Sequence, residues 1–164
     1  MRVIICMFTI FIVLFFIFKN DKYTYVKINN GNGFYICKND NMEKAYNMLN
    51  YIVSNCANLC DELLSEELPN KNIATRLYNR FNHATIYEIC DDDNSRGFAI
   101  NKGDEIKLKL KKQNGIYYTY EQIMYVLLHE MAHLMSVSYG HNEEFYSNFN
   151  FIVDYAYQNG YYKN

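Results

Sequence analysis

Residues 119–141 read TYEQIMYVLLHEMAHLMSVSYGH, and the rest of the chain arranges itself around this stretch. Thr119 followed three residues later by Gln122 is a capping box, in which each side chain accepts a backbone N–H that the first helical turn leaves unpaired. From Tyr120 to about Met135 the pattern is apolar on most sides: Ile123, Met124, Val126, Leu127, Leu128, Met131, Ala132 and Leu134. A helix that is apolar nearly all round is a buried one. Its polar exceptions are His129, Glu130 and His133. Ser136 to Gly140 interrupts the pattern, and Gly140 permits a sharp turn that brings His141 back towards the helix.

The spacing of the polar exceptions carries chemistry. Residues four apart lie one turn apart on one helix face, so the imidazoles of His129 and His133 can point at one ion. Glu130 is offset by about 100° from His129, close to an open coordination position but off the ligand axis. There it can act as general base towards a zinc-activated water and pass the proton to a leaving amine. A catalytic zinc keeps three protein ligands, so a third is required. Three of the four histidines of the chain are His129, His133 and His141, which makes His141 the expected third ligand to Zn2+. An acid after the turn is the alternative: Glu143 or Glu144, or Asp154 further on. A structural zinc would usually close with four ligands, often cysteines, and no cysteine follows Cys90. Two buried imidazoles without a metal would each need a hydrogen-bond partner.

Working outward, a last helix is expected from about Asn142 to Gln158, ended by Asn159-Gly160. Upstream, residues 105–111 read EIKLKLK, with Ile106, Leu108 and Leu110 on one face and Lys107, Lys109 and Lys111 on the other. That alternation suits a sheet edge with a solvated lysine face, and the segment is the expected edge for strand-like substrate binding. GFAI (97–100) and ATIYEI (84–89) are further strands, separated by the loop DDDNS (91–95). From Asn41 to Glu67, Ala45, Leu49, Ile52, Cys56, Leu59 and Leu63 step by four and three, an amphipathic helix of about six turns. A shorter helical segment is expected over 73–81. YTYVKI (23–28) and GFYIC (33–37) flank a glycine-containing turn as a short hairpin.

With 164 residues the chain has room for one ordinary domain. An apolar fraction of 50% with 21% charged residues excludes a disordered tail. The net charge of −2 offers no basic surface, so no nucleic-acid partner is expected. Residues 3–18, VIICMFTIFIVLFFIF, are apolar except for Thr9, between Arg2 and Lys19. A helix of that length spans roughly 24 Å, slightly less than a bilayer core. No small residue follows the run to mark a cleavage site, so an uncleaved, single-pass transmembrane signal anchor is expected; a cleaved signal peptide is the alternative. Cys37, Cys56, Cys60 and Cys90 form an even set that would suit two disulfides in an oxidising space. The helical spacing of Cys56 and Cys60 favours buried thiols instead. Any of Tyr139, Tyr155 or Tyr157 is placed to steady an oxyanion, although packing is the commoner role for such rings.

GFAINKGDEIKLKLK, then YVLLHEMAHLMSVSYGHNEEFYSNFNFIVDYA, resembles the WLM-domain zinc metallopeptidases, SprT-like members of the zincins, and most of all the versions in large DNA viruses. The specific part is HExxH followed by Gly-His-x-x-x-Phe: His129, Glu130, His133, Gly140, His141 and Phe145. The resemblance implies that His129, His133 and His141 are zinc ligands, that Glu130 is the general base, and that Phe145 packs the last helix. Ser136 stands where metzincins have glycine, and His141 lies eight residues after His133, which excludes that neighbouring family. The expectation is thus an α+β, compact zincin-like domain with a long helix, a short mixed sheet, the HExxH helix and a C-terminal helix. It would comprise residues 41–164, behind a transmembrane anchor (1–18) and a juxtamembrane segment (19–40). The expected activity is hydrolysis of protein or peptide substrates by a membrane-anchored zinc metalloendopeptidase, with an inactive structural or virion protein of the same fold as the alternative.

Overall fold

The computed structural model describes residues 22–27, 33–39, 41–90, 97–101 and 103–163. The β-branched and aromatic runs form strands β1 (Tyr23–Lys27), β2 (Gly33–Cys37), β3 (Thr85–Glu88), β4 (Gly97–Ile100) and β5 (Glu105–Leu108). The stretches of helical period form α1 (Met42–Ser65), α2 (Lys71–His83), α3 (Tyr120–Met135) and α4 (Glu143–Gln158). The strands make one sheet in the order β1-β2-β3-β5-β4. β2, β3 and β5 run parallel, while β1 and β4 lie antiparallel at the two ends. The expected α+β architecture with a short mixed sheet is present, and the β1–β2 hairpin belongs to that same sheet.

The pleat sorts the side chains. Phe34, Ile36, Ile86, Ile106 and Leu108 are buried and join the core with α1 and α3. On the opposite face the Tyr35 and Tyr87 rings stack with centroids 4.7 Å apart, and the Lys107 ammonium lies 5.7 Å from the Tyr87 ring. The regular stripe of α1 places Leu49, Ile52, Val53, Cys56, Leu59 and Leu63 at zero exposure.

Four expectations are corrected. The EIKLKL segment is not an edge: β5 lies between β3 and β4, and β4 is the outer strand. Alternation reports which face a residue occupies, not how far from the edge its strand lies. The lysine face is also not uniformly solvated, since Lys109 is only 8% exposed. The short helix is longer than expected, and α2 runs from Lys71 to His83. Among the cysteines, Cys56 and Cys60 are the buried thiols expected, pushed up in pKa by burial on α1, and the correction concerns Cys37 and Cys90, which form a disulfide.

The single-pass membrane localisation is likewise corrected: among the described residues no helix is long and apolar enough to cross a membrane. The long helix α1 carries Glu43, Lys44, Asp61 and Glu62, and its apolar stripe is spent on the core. The run 3–18, on which the anchor was expected, lies outside the described residues.

Two local devices fix the sheet. The β2–β3 ladder is short, pairing Phe34 with Ile86 and Tyr35 with Tyr87. Beyond it the Cys37 N–H donates to buried Glu88 Oε2 at 2.9 Å, and the disulfide closes the junction. At the other end β4 returns into β5 through a turn in which Ile100 O accepts from Gly103 N and Asp104 N, with Asn101 at φ 49° and Gly103 at φ 113°.

Two outcomes are expected. A Cβ on Gly97 would stand 2.5 Å from Val126 Cγ1 and 3.1 Å from the Lys107 carbonyl oxygen. Gly97→Ala should therefore destabilise the domain by about 1–3 kcal/mol through overpacking, read as a lower urea midpoint. The disulfide closes a separation of 53 residues. Replacing Cys37 and Cys90 together by alanine should cost roughly 4 kcal/mol on the chain-entropy account, and reductant should lower the wild-type midpoint but not that of the double variant.

Candidate metal centre

α3 is held at both ends by side chains. The Gln122 N–H donates to Thr119 Oγ1 at 3.2 Å, and the Thr119 N–H donates to Gln122 Oε1 at 3.1 Å, completing the expected capping box. At the other end two arginines of α2 serve the free carbonyls: Arg80 donates to Leu134 O at 2.7 Å and Ser136 O at 2.9 Å, and Arg76 donates to Met135 O. Cations at a helix C-terminus also suit its dipole. Between the caps, Leu127, Leu128, Met131, Ala132, Leu134 and Met135 have no exposed surface. The helix can therefore neither rotate nor slide without opening the core, and its polar strip faces one way.

That strip meets His141. The chain leaves α3 at Ser136, runs through Val137 to Tyr139, and turns at Gly140, whose φ of 81° a side chain would oppose. His141 Nε2 then lies 3.1 Å from His133 Nε2 and 3.0 Å from His129 Nε2. The ligand-type nitrogens of the three histidines lie within 4.8 Å of one another, and together they can hold a metal ion. With metal–nitrogen bonds of about 2.0–2.1 Å in a tetrahedral arrangement, such nitrogens would stand roughly 3.3 Å apart, so the donor set fits a small divalent cation.

The floor under this triad is Phe145, on the first turn of α4 and 1% exposed. Its ring centroid lies 4.8, 4.3 and 4.5 Å from those of His129, His133 and His141. Phe149, one turn further on, adds a contact to His129 at 5.3 Å. The aromatic wall removes water from one side of the imidazoles. Burial, followed by the neighbouring His141, lowers the pKa of His129, which keeps its ring neutral and able to ligate.

Glu130 is 5% exposed. Burial pushes its carboxyl up to about 7, and the backbone N–H of Ala99 on β4 opposes that rise by donating to it. The carboxyl and the three histidines line a cleft of about 330 Å³ together with Gly97, Ala99, Asn101, Ser138, Tyr139 and Gly140. One wall is thus β4 and the other is the 136–141 segment.

The remaining expected residues fall elsewhere. Glu143 and Asp154 are exposed, and the Glu144 carboxylate accepts from the backbone of Val137 and Ser138. Among the described residues only the three histidines form a metal-capable group. Of the tyrosines, Tyr139 borders the cleft, whereas Tyr155 donates to Glu66 at 2.7 Å and Tyr157 is a surface residue of α4. Sequence reasoning missed Phe149, the Ala99 amide and the two arginines. Only Phe149 had a local signal, its spacing of four from Phe145.

Comparison with known proteins gives the family and the fold. The family model described as the WLM domain matches residues 69–163. A protein of Acanthamoeba polyphaga mimivirus is 32% identical over 150 residues, covering 86% of this chain and 75% of the viral protein. One from Invertebrate iridescent virus 6 is 30% identical over 110 residues, covering 65% of this chain and 61% of that protein. Among solved structures, a mutant of Wss1 from Saccharomyces cerevisiae superposes with a TM-score of 0.59 at 22% identity, over 77% of this chain and 92% of that one. Wss1 from S. pombe gives 0.54 at 19% identity, over 74% and 88%. These structures share the fold; the family match and the viral relatives establish that the chain belongs to the WLM-domain family, with a fold of the metallopeptidase type.

Proposed function

We propose that this chain is a zinc-dependent metallopeptidase that hydrolyses peptide bonds, with His129, His133 and His141 as the zinc ligands and Glu130 as the general base. The observation that carries the reading is the convergence of three Nε2 atoms beside a buried carboxyl on the wall of one cleft. Family membership supports it, since the WLM domain is of the metallopeptidase type. When bound, zinc supplies a Lewis acid that makes water nucleophilic near neutral pH.

The residues of the chain do the rest. Glu130 takes the proton of the attacking water on its carboxylate and returns it to the leaving amine nitrogen. Its raised pKa suits a group that must both accept and release a proton near pH 7. The Ala99 N–H orients the carboxylate from the side of β4. Phe145 and Phe149 fix the imidazole planes and keep water from their far faces. The antiparallel outer strand β4, rather than β5, offers the extended backbone along which a peptide would lie as an added strand.

The full-length chain is expected to carry about one zinc per molecule, and His141→Ala should lower that content sharply while the fold persists by circular dichroism. Glu130→Gln should keep the zinc and lower the cleavage rate of an unfolded protein substrate by roughly 10²–10⁴-fold, measured at matched metal content. Cleavage that survives Glu130→Gln undiminished would reject the assigned base. Zinc without any Glu130-dependent cleavage would favour a metal-binding scaffold.

A further inference from the structure

We propose that Glu144 is the positioning residue that holds the 136–141 segment in the conformation delivering His141 to the other two histidines. This rests on the reading of those histidines as zinc ligands. The segment needs such a device because it has little apolar anchorage of its own: Val137 is 62% exposed and Tyr139 80%. Its start is pinned from α2 by Arg80 and Arg76, and from α4 by Asn148, whose Nδ2 donates to Ser136 Oγ at 2.9 Å. Its end is pinned by the N-cap of α4, where Asn142 Oδ1 accepts the Phe145 N–H at 3.1 Å.

Glu144 holds the middle. Its Oε1 accepts the Val137 N–H at 2.7 Å, and its Oε2 accepts the Ser138 N–H at 2.9 Å together with the Ser138 hydroxyl. Asn142 Nδ2 donates to Ser138 Oγ at 2.7 Å and closes the network. One carboxylate thereby ties the chain before His141 to the helix after it, making a short loop with His141 inside. Hydrogen bonds to an ionised acceptor are the stronger kind. The Ser138 hydroxyl and the two backbone N–H groups hold the Glu144 carboxyl at about 2, so it stays anionic throughout the range in which a histidine site binds metal. Glu144 is not itself a lining residue of the cleft and meets that lining through Ser138, so its effect on a metal is exerted through the place of His141.

The test measures zinc affinity of the full-length chain by competition with a chelator, for wild type, Glu144→Ala, Glu144→Gln and Glu143→Ala. Glu144→Ala should weaken zinc binding by roughly 10–100-fold, the usual scale for residues that orient a ligand. Glu144→Gln, whose amide oxygen still accepts, should lose less, and Glu143→Ala should stay near wild type. In the metal-free chain the amides of Val137 and Ser138 should exchange faster in Glu144→Ala, with the interior amides of α3 and α4 unchanged. Equal zinc affinity in Glu144→Ala and wild type, or an equal loss in Glu143→Ala, would overturn the inference. A wild-type chain that binds no zinc would overturn the metal reading instead, and amide exchange in the same samples would still decide whether Glu144 holds the segment.

Discussion

Two imidazoles and a carboxyl group sit on the C-terminal half of a helix whose other residues there are closed in the core, and the rest of the structure follows from where that helix is allowed to be. Polar groups in such a place are costly unless they have partners. α3 meets the requirement by gathering His129, Glu130 and His133 onto one strip and facing it to a cleft. The backbone is treated the same way. The capping box serves the free N–H groups at one end, and Arg76 and Arg80 serve the carbonyls at the other. Rotation of α3 would bury the strip and uncover leucines, so packing sets the direction in which the chemistry points.

Two further segments are then brought to this strip, one on each wall of the cleft. β4 arrives because the turn at Asn101 and Gly103 folds it against β5, and Gly97 lets it approach Val126 without a clash. The 136–141 segment arrives because Gly140 turns it and polar side chains from α2 and α4 hold it. Phe145 joins the two halves of the problem: it is a core residue of the α3–α4 interface and also the surface on which all three imidazoles rest.

What was legible in the sequence follows from how local each signal is. The capping box, the HExxH spacing and the Gly140-His141 turn lie within a few residues, and the structure brings those three histidines together. The long stripe of α1 was equally plain. The position of EIKLKL was not, because an alternating strand has the same pattern beside one neighbour or between two, and only the partners of β4 and β3 distinguish them. The Cys37–Cys90 disulfide was hidden for the same reason: it depends on β2 and β3 meeting across 53 residues, which no spacing reveals. The apolar run at 3–18 lies outside the described residues, and its hydropathy alone does not say what environment it occupies. Glu144 was visible only as an acid near a metal motif, and its actual partners are backbone groups that carry no sequence signature.

Glu130 and Glu144 show how one side-chain type is placed in two environments that suit different tasks. Glu130 lies in an apolar setting with a single N–H opposing its burial, so its carboxyl is poised at about 7, where gaining and losing a proton cost similar amounts. Glu144 accepts three donors near the surface and is held at about 2, where it cannot carry a proton at neutral pH. The first environment suits proton transfer and the second suits a fixed strut. Exchanging these environments would leave each carboxyl unsuited to the task proposed for it, without altering the composition of the chain. The division between acting and holding therefore resides in which backbone N–H groups reach each carboxylate, and those groups are supplied by β4 for one and by the segment before His141 for the other.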